Sequence, residues 1–298
     1  MNYTTPILLI TFIRPDHVRD ALTEIRKVQP TELYIAQDGP RADRPDDIPK
    51  IQAVREVIKE MVDWPCNLHT HYSETNLGCG PSPYEAMSWF FRNVEMGIIM
   101  EDDIVPHPLF FSYMAELLER YKDNPRIGMI AGHNIYRKYS RAHSYYFTFD
   151  TEGTLGWATW RRVWKDFRFD IQFNAVEYDK AMLRFMYMPR IYRQKMIKHF
   201  DSVLNVDRHD RWDYQWEYYL QTRGYINIKP NSCLTTHTGV DPDATHTGYV
   251  NPGYKMEVNE PLFQTLDHPK KVKIDIREKL RVYNRTLKLI KSSILHAI

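Results

Sequence analysis

Residues 6–13 form a short, almost wholly apolar run, the pattern of a strand covered on both faces. The period then changes: Val18, Leu22, Ile25 and Val28 fall on one helical stripe, and Pro15 stands where the first turn of a helix accepts it. The unit recurs. Residues 32–37 predict a second strand ending in Asp38-Gly39-Pro40, and Ile51, Val54, Ile58 and Met61 mark a second helix. Residues 67–72 predict a third strand, 83–94 a third helix, and 96–100 a fourth strand that runs into Glu101-Asp102-Asp103. Strands alternating with helices at this spacing predict an α/β fold, a Rossmann-like and mostly parallel sheet flanked by helices. In such sheets ligands sit at the carboxyl ends of the strands, where Arg14, Asp38 and Asp103 all fall.

The second half is less regular. A helix is predicted over 108–121, a strand over 126–131, helical segments over 177–200, a Trp/Tyr-rich helix near 214–222 and a strand over 225–228. The aromatic stretch 145–173 between them carries few periodic signals. The chain is expected to divide into 1–105 and 106–267, two halves of one domain, and a tail over 268–298.

With 298 residues, 43% hydrophobic and 26% charged, the chain can bury a sizeable core, which excludes a disordered or disulfide-stapled module. A net charge of +2 gives no field strong enough for nucleic-acid binding. The charge is unevenly placed: residues 268–298 hold nine Lys/Arg against two acids, a net +7, leaving −5 on the rest. Within that tail Leu280, Tyr283, Leu287, Ile290 and Ile294 follow a 3-4-3-4 spacing, which predicts a basic amphipathic helix. Such a helix packs on its own domain, pairs with a second copy or lies on an anionic membrane. Cys66, Cys79 and Cys233 form no CxxC and cannot all pair, which suits a reducing compartment. The first residues lack a signal-peptide pattern, so a cytoplasmic location is expected, at most peripheral at the inner face of a membrane.

Three successive carboxylates after a buried strand repel one another unless a cation or hydrogen-bond donors share the site. Carboxylate oxygens suit Mg²⁺ or Mn²⁺, which bind through one or two carboxylates and complete their shell with phosphates and water. Helix capping is the plain alternative for the triplet. Arg14 can neutralise a phosphate, and Asp38 can accept an N–H from a pyrimidine base; an Arg14–Asp16 pair and an ordinary turn at 38–40 are the structural alternatives. Asp213, between Trp212 and Tyr214-Gln215-Trp216 at the start of a predicted helix, is either an N-cap or a general base, with Asp207 and Asp210 as neighbours. His237 and His246 lie in two Thr-His-Thr-Gly stretches, and His246 is preferred as a nitrogen ligand or a donor to a diphosphate. Gly78, in Asn76-Leu77-Gly78-Cys79-Gly80, lets backbone approach a donor closely. Trp157 is expected beside a sugar, while Trp160 and Trp164 fit a core.

Pro6-Ile7-Leu8-Leu9-Ile10 with Arg14, then Ala36-Gln37-Asp38, then Glu101-Asp102-Asp103 followed by Pro108-Leu109-Phe110-Phe111, resembles the donor half of N-acetylglucosaminyltransferase I and its bacterial relatives, inverting glycosyltransferases of the GT-A fold. The resemblance extends through Asn76–Gly80, Gly156-Trp157-Ala158-Thr159-Trp160, Trp212–Trp216 and Asp243-Ala244-Thr245-His246-Thr247, and covers residues 6–250. It implies that 1–105 binds a nucleotide-sugar and 106–267 binds the acceptor and carries catalysis. It implies further that Asp38 holds uracil, that Arg14 lies near base or phosphates, that Glu101 and Asp102 face ribose or donor sugar, that Asp103 ligates the metal and that Asp213 is the base. The expected partners are a UDP-sugar and a glycan or glycolipid acceptor of surface polysaccharide synthesis. His237-Thr238-Gly239-Val240 departs from the usual pattern of these relatives, as does Glu74 where an Arg is common, so the sugar is not fixed by the likeness. A sugar-phosphate nucleotidyltransferase shares the sheet topology, but Thr11-Phe12-Ile13-Arg14-Pro15 lacks the glycine-rich loop that grips a triphosphate. A carbohydrate-binding protein without turnover is the remaining expectation.

Overall fold

The computed structural model describes residues 3–134, 143–149, 153–171, 173–185, 190–204, 211–239 and 255–274. β1 (Ile7–Thr11) is buried at all five positions, as an apolar run with no alternation requires. α1 (Pro15–Val28) opens on its proline and buries Val18, Ala21, Leu22 and Ile25; it ends at Gln29, whose φ of 46° caps it in the left-handed region ahead of Pro30. β2 (Glu32–Gln37), α2 (Asp47–Met61), β3 (Asn67–Tyr72), α3 (Pro81–Asn93) and β4 (Met96–Glu101) repeat the unit.

Register decides what these strands present. β1 pairs in parallel with β2 on one side and β4 on the other, with Thr11 opposite Gln37 and Ile10 opposite Glu101. The loops after all three strands therefore leave the sheet at one edge, and the chain order reverses direction around β1, the place where open α/β sheets form a ligand crevice.

After β4 the chain adds β5 (Ile104–Pro106), α4 (Pro108–Tyr121), β6 (Ile127–Ala131), β7 (Tyr145–Thr148), β8 (Trp157–Trp160), α5 (Arg161–Trp164), α6 (Ala175–Phe185), α7 (Arg190–Leu204), α8 (Trp212–Arg223), β9 (Ile226–Pro230), β10 (Thr235–His237) and α9 (Pro261–Gln264). One sheet, in the order β3-β2-β1-β4-β8-β6-β9-β7, runs through both halves of the chain. The first four strands are parallel, whereas β8 is antiparallel to β4 and β6, and β7 is antiparallel to β9. The far side of the sheet is thus more mixed than the local pattern predicts. A second, two-stranded sheet pairs β10 with β5, His237 opposite Ile104, and lays residues 235–237 against the segment that follows the acidic triplet.

In the aromatic stretch Tyr145, Tyr146, Phe147, Trp157, Trp160, Trp164 and Phe167 are buried in the core, while Phe173 is exposed. Trp157 is 1% exposed, stacks on Trp212 at 5.6 Å between ring centroids and lies 5.5 Å from Trp216. No helix among the described residues is long and apolar enough to cross a membrane. The amphipathic helix expected over 280–294 lies outside the described residues, as does His246.

Candidate active site

A cavity of about 430 Å³ opens at the β1/β4 edge, a size that takes a nucleotide-scale ligand. Its wall carries Arg14, Asp38, Gly78, Glu101, Asp102, Asp103 and Asp213 together, although they come from five separate parts of the chain. Trp157 is absent from that wall. It was expected at the sugar, but a strand buried on both faces sends its indole into the core behind Trp212, and Trp212 is the indole that reaches the cavity.

The charge that the triplet needs is Arg14. Its Nη2 donates to Asp102 Oδ1 and, at 3.0 Å, to Asp103 Oδ2. The partner is therefore the acid pair across the sheet edge and not Asp16. His237 adds a second donor, Nε2 lying 3.4 Å from Asp103 Oδ2. The triplet responds unevenly. Burial, with repulsion from Asp103, Asp213 and Asp102, pushes the Glu101 carboxyl up to about 8. Burial also raises Asp102, against the pull of Arg14. For Asp103 burial acts upward too, but the hydrogen bond from His237 and the charge of Arg14 outweigh it and hold the group below its ordinary value. Asp103 is the member of the triplet whose ionised form is held most firmly.

The segment after β10 straps this carboxylate down. The Thr238 N–H and hydroxyl donate to the Asp103 carbonyl at 2.8 and 3.1 Å, and His17 on α1 lies 3.0 Å from the same hydroxyl. At Gly239 an added Cβ would overlap Asp103 Oδ2 and come within 3.0 Å of His237 Nε2. Only a residue without a side chain lets the strap lie so close. Gly239→Ala should therefore leave the fold intact but shift Asp103, weakening Mn²⁺-dependent binding of UDP by about tenfold or more in a calorimetric titration. Unchanged affinity would mean that the strap does not position that carboxylate.

Asp38 is held by donors of the protein itself. Its Oδ1 accepts from the N–H groups of Gly39 and Leu77, both at 2.9 Å, and its Oδ2 accepts from Gly78 N–H at 3.0 Å and Asn76 Nδ2 at 2.9 Å. Four donors fill a carboxylate's acceptor sites. Asp38 thus anchors the 76–78 turn, with both of its oxygens already engaged by donors of the protein. Gly78 has φ +86°, and an added Cβ would meet nothing within 4 Å, so the glycine is required here by its backbone angle.

Asp213 is the second residue of α8. The N-cap position is Arg211, which makes no capping hydrogen bond through its side chain, so Asp213 does not serve as the cap. Burial and the nearby Glu217 raise its carboxyl above the ordinary value. Its charge is felt by Glu101, which places the two carboxylates within electrostatic reach. Asp207 and Asp210 lie outside the described residues.

Among the described residues no three His, Cys, Asp or Glu side chains are disposed to hold a metal ion. The oxygen chemistry nevertheless fits a hard divalent cation, which needs only one or two protein carboxylates when phosphates complete its shell. Asp103 supplies one, and Asp102 Oδ2 is buried with no hydrogen-bond partner among the described residues.

No family model matches the chain, and no curated protein matches it. Among solved structures it is similar to UDP-glucose pyrophosphorylase complexed with UDP-glucose, at 9% identity over 77% of this chain and 90% of that one, with a TM-score of 0.40. It is similar to a cytidylyltransferase from Leptospira borgpetersenii at 10% identity, over 68% and 98% of the two chains, with a TM-score of 0.35. The 4-diphosphocytidyl-2C-methyl-D-erythritol synthase of Anaerococcus prevotii gives 10%, 66%, 84% and 0.32 in the same terms. Likeness at this level distinguishes no activity.

Proposed function

We propose that the protein is a metal-dependent inverting glycosyltransferase that moves a sugar from a nucleoside diphosphate, a UDP-sugar in the first instance, to a hydroxyl of a glycan acceptor. The observation that carries this reading is the placement of Asp213. A half-buried carboxylate with a raised proton affinity reaches the same cavity as the acidic triplet, but from the other half of the chain.

A single displacement needs a base on one side of the sugar and a stabilised diphosphate on the other. Asp213 takes the proton of the acceptor hydroxyl as its oxygen bonds to the anomeric carbon, and the bond from that carbon to the diphosphate oxygen breaks, releasing UDP. Asp103, with His237 beside it, would hold Mn²⁺ or Mg²⁺; when bound, the cation neutralises charge that builds on the departing diphosphate. Arg14 keeps Asp102 and Asp103 together despite their charges. The turn at 76–78, fixed by Asp38, forms the wall toward the base.

The competing chemistry, nucleotidyl transfer, requires a grip on a triphosphate directly after β1. Phe12-Ile13-Arg14 offers no glycine and commits its arginine to two carboxylates. Product identity separates the two. With Mn²⁺ and a panel of UDP-sugars, UDP release is expected, with Asp103→Ala lowering it by at least about tenfold. Pyrophosphate formation from UTP and a sugar 1-phosphate, without UDP release, would establish the nucleotidyltransferase instead.

A further inference from the structure

Three arginines line the cavity, and two of them have carboxylate partners. Arg14 is held by Asp102 and Asp103. Arg41 is gripped by buried Asp47, Nε at 2.8 Å from one oxygen and Nη2 at 2.7 Å from the other. Arg211 differs. Its Nη1 donates to the Tyr214 hydroxyl at 2.9 Å, and its guanidinium carbon lies 5.0 Å from the centre of the Tyr214 ring. Those contacts fix the plane of the guanidinium without neutralising it, and no carboxylate among the described residues lies within ion-pair distance. One hydrogen bond leaves most of a five-donor fork uncommitted, in a geometry that suits a phosphate or carboxylate.

Arg211 does not help the base. A positive charge beside Asp213 favours the ionised carboxylate and so makes it a weaker proton acceptor, opposing the effect of burial. A half-buried, pre-oriented cation that works against its neighbour's chemistry, with no carboxylate partner among the described residues, suits an anion of the ligand. Arg211 and Asp213 line the same cavity and the charge of Arg211 acts on the Asp213 carboxyl, so an anion on Arg211 lies close to the hydroxyl that Asp213 faces.

We propose that Arg211 is the receptor for an anionic substituent of the acceptor, so that the protein takes acceptors carrying a phosphate or a carboxylate close to the attacked hydroxyl. This rests on the transfer reading above, in which Asp213 faces the acceptor.

The test is calorimetric, with enzyme first saturated with Mn²⁺ and UDP so that the donor side is filled. Glucose 6-phosphate, glucuronate and methyl glucoside are then titrated at matched ionic strength, since exposed charges are screened by salt. At least one anionic sugar should bind about tenfold or more tightly than methyl glucoside, and the tighter of the two identifies phosphate or carboxylate. Arg211→Gln should abolish that difference and leave the Kd of UDP unchanged, while Arg211→Lys, which keeps the charge and loses the fork, should retain part of it. Equal or undetectable binding of the anionic and neutral sugars overturns the proposal, as does retention of the preference in Arg211→Gln. A loss of UDP affinity in both variants also overturns it, because it puts Arg211 on the donor diphosphate. If UDP does not bind the unaltered protein in the first step, it is the transfer reading that fails.

Discussion

Asp213→Asn should reduce the rate of sugar transfer by roughly 10²- to 10⁴-fold, the usual contribution of a positioned general base, with the donor's Kd unchanged. Asparagine keeps the size of the side chain and the start of α8, because Arg211 occupies the cap position. What it removes is the capacity to accept a proton. The pH profile of the unaltered enzyme supplies an independent check. Burial, then repulsion from Glu217, raises the Asp213 carboxyl, and hydrogen bonding at Tyr214 and the charge of Arg211 only partly oppose them. A base must be ionised to act, so kcat/KM should rise as pH climbs through this raised value, with an acid limb above that of an ordinary aspartate. Removing Glu217 as Glu217→Gln should move the limb downward. A pH profile flat across the carboxylate range, or Asp213→Asn at full activity, would assign proton removal to another group.

The first half of the chain was legible because each strand and helix declares itself locally. An unbroken apolar run followed by a 3.6-residue stripe identifies the β1–α1 unit, and parallel strands must end at a common edge, so Arg14, Asp38 and Asp103 converge by topology alone. The position of His237 could not be read in this way. It comes from β10 pairing with β5, a three-residue contact whose middle pair, Thr236 and Val105, is far apart in sequence, and no local period encodes such a pairing. The preference for His246 over His237 therefore had nothing to test it within the sequence. Trp157 failed for a related reason: an indole on a doubly buried strand and an indole facing a sugar have the same composition and the same neighbours in sequence. The signal that existed was the spacing Trp157, Trp160, Trp164 with Trp212 and Trp216, an aromatic mass too large to be all surface. Arg211 and Gly239 carry no residue-type signal at all and acquire meaning only from what they touch.

Asp38 shows most clearly where reading by residue type stops, and it carries the second large effect. A carboxylate at the end of β2 accepts equally well from a ligand's N–H or from the protein's own backbone, and here the backbone has taken it. Asp38→Asn keeps one acceptor oxygen and turns an amide NH₂ toward donors that previously met an anion, so at least two of the four hydrogen bonds are lost and buried N–H groups are stranded. Hydrogen bonds to charged groups contribute about 1.5–3 kcal/mol each, so a loss of about 3 kcal/mol in unfolding free energy is expected, measurable by urea titration. The 76–78 turn should open at the same time and weaken UDP binding. Asn76→Ala removes a single donor to Asp38 and leaves the three backbone N–H bonds, so it should cost about 1 kcal/mol and weaken UDP less. A carboxylate serving only as the partner of a uracil imide would behave in the opposite way: Asp38→Asn would lose UDP affinity at unchanged stability, and Asn76→Ala would affect neither. The ratio of the stability loss to the affinity loss across these two variants therefore decides whether Asp38 builds the wall of the nucleotide pocket or contacts the base itself.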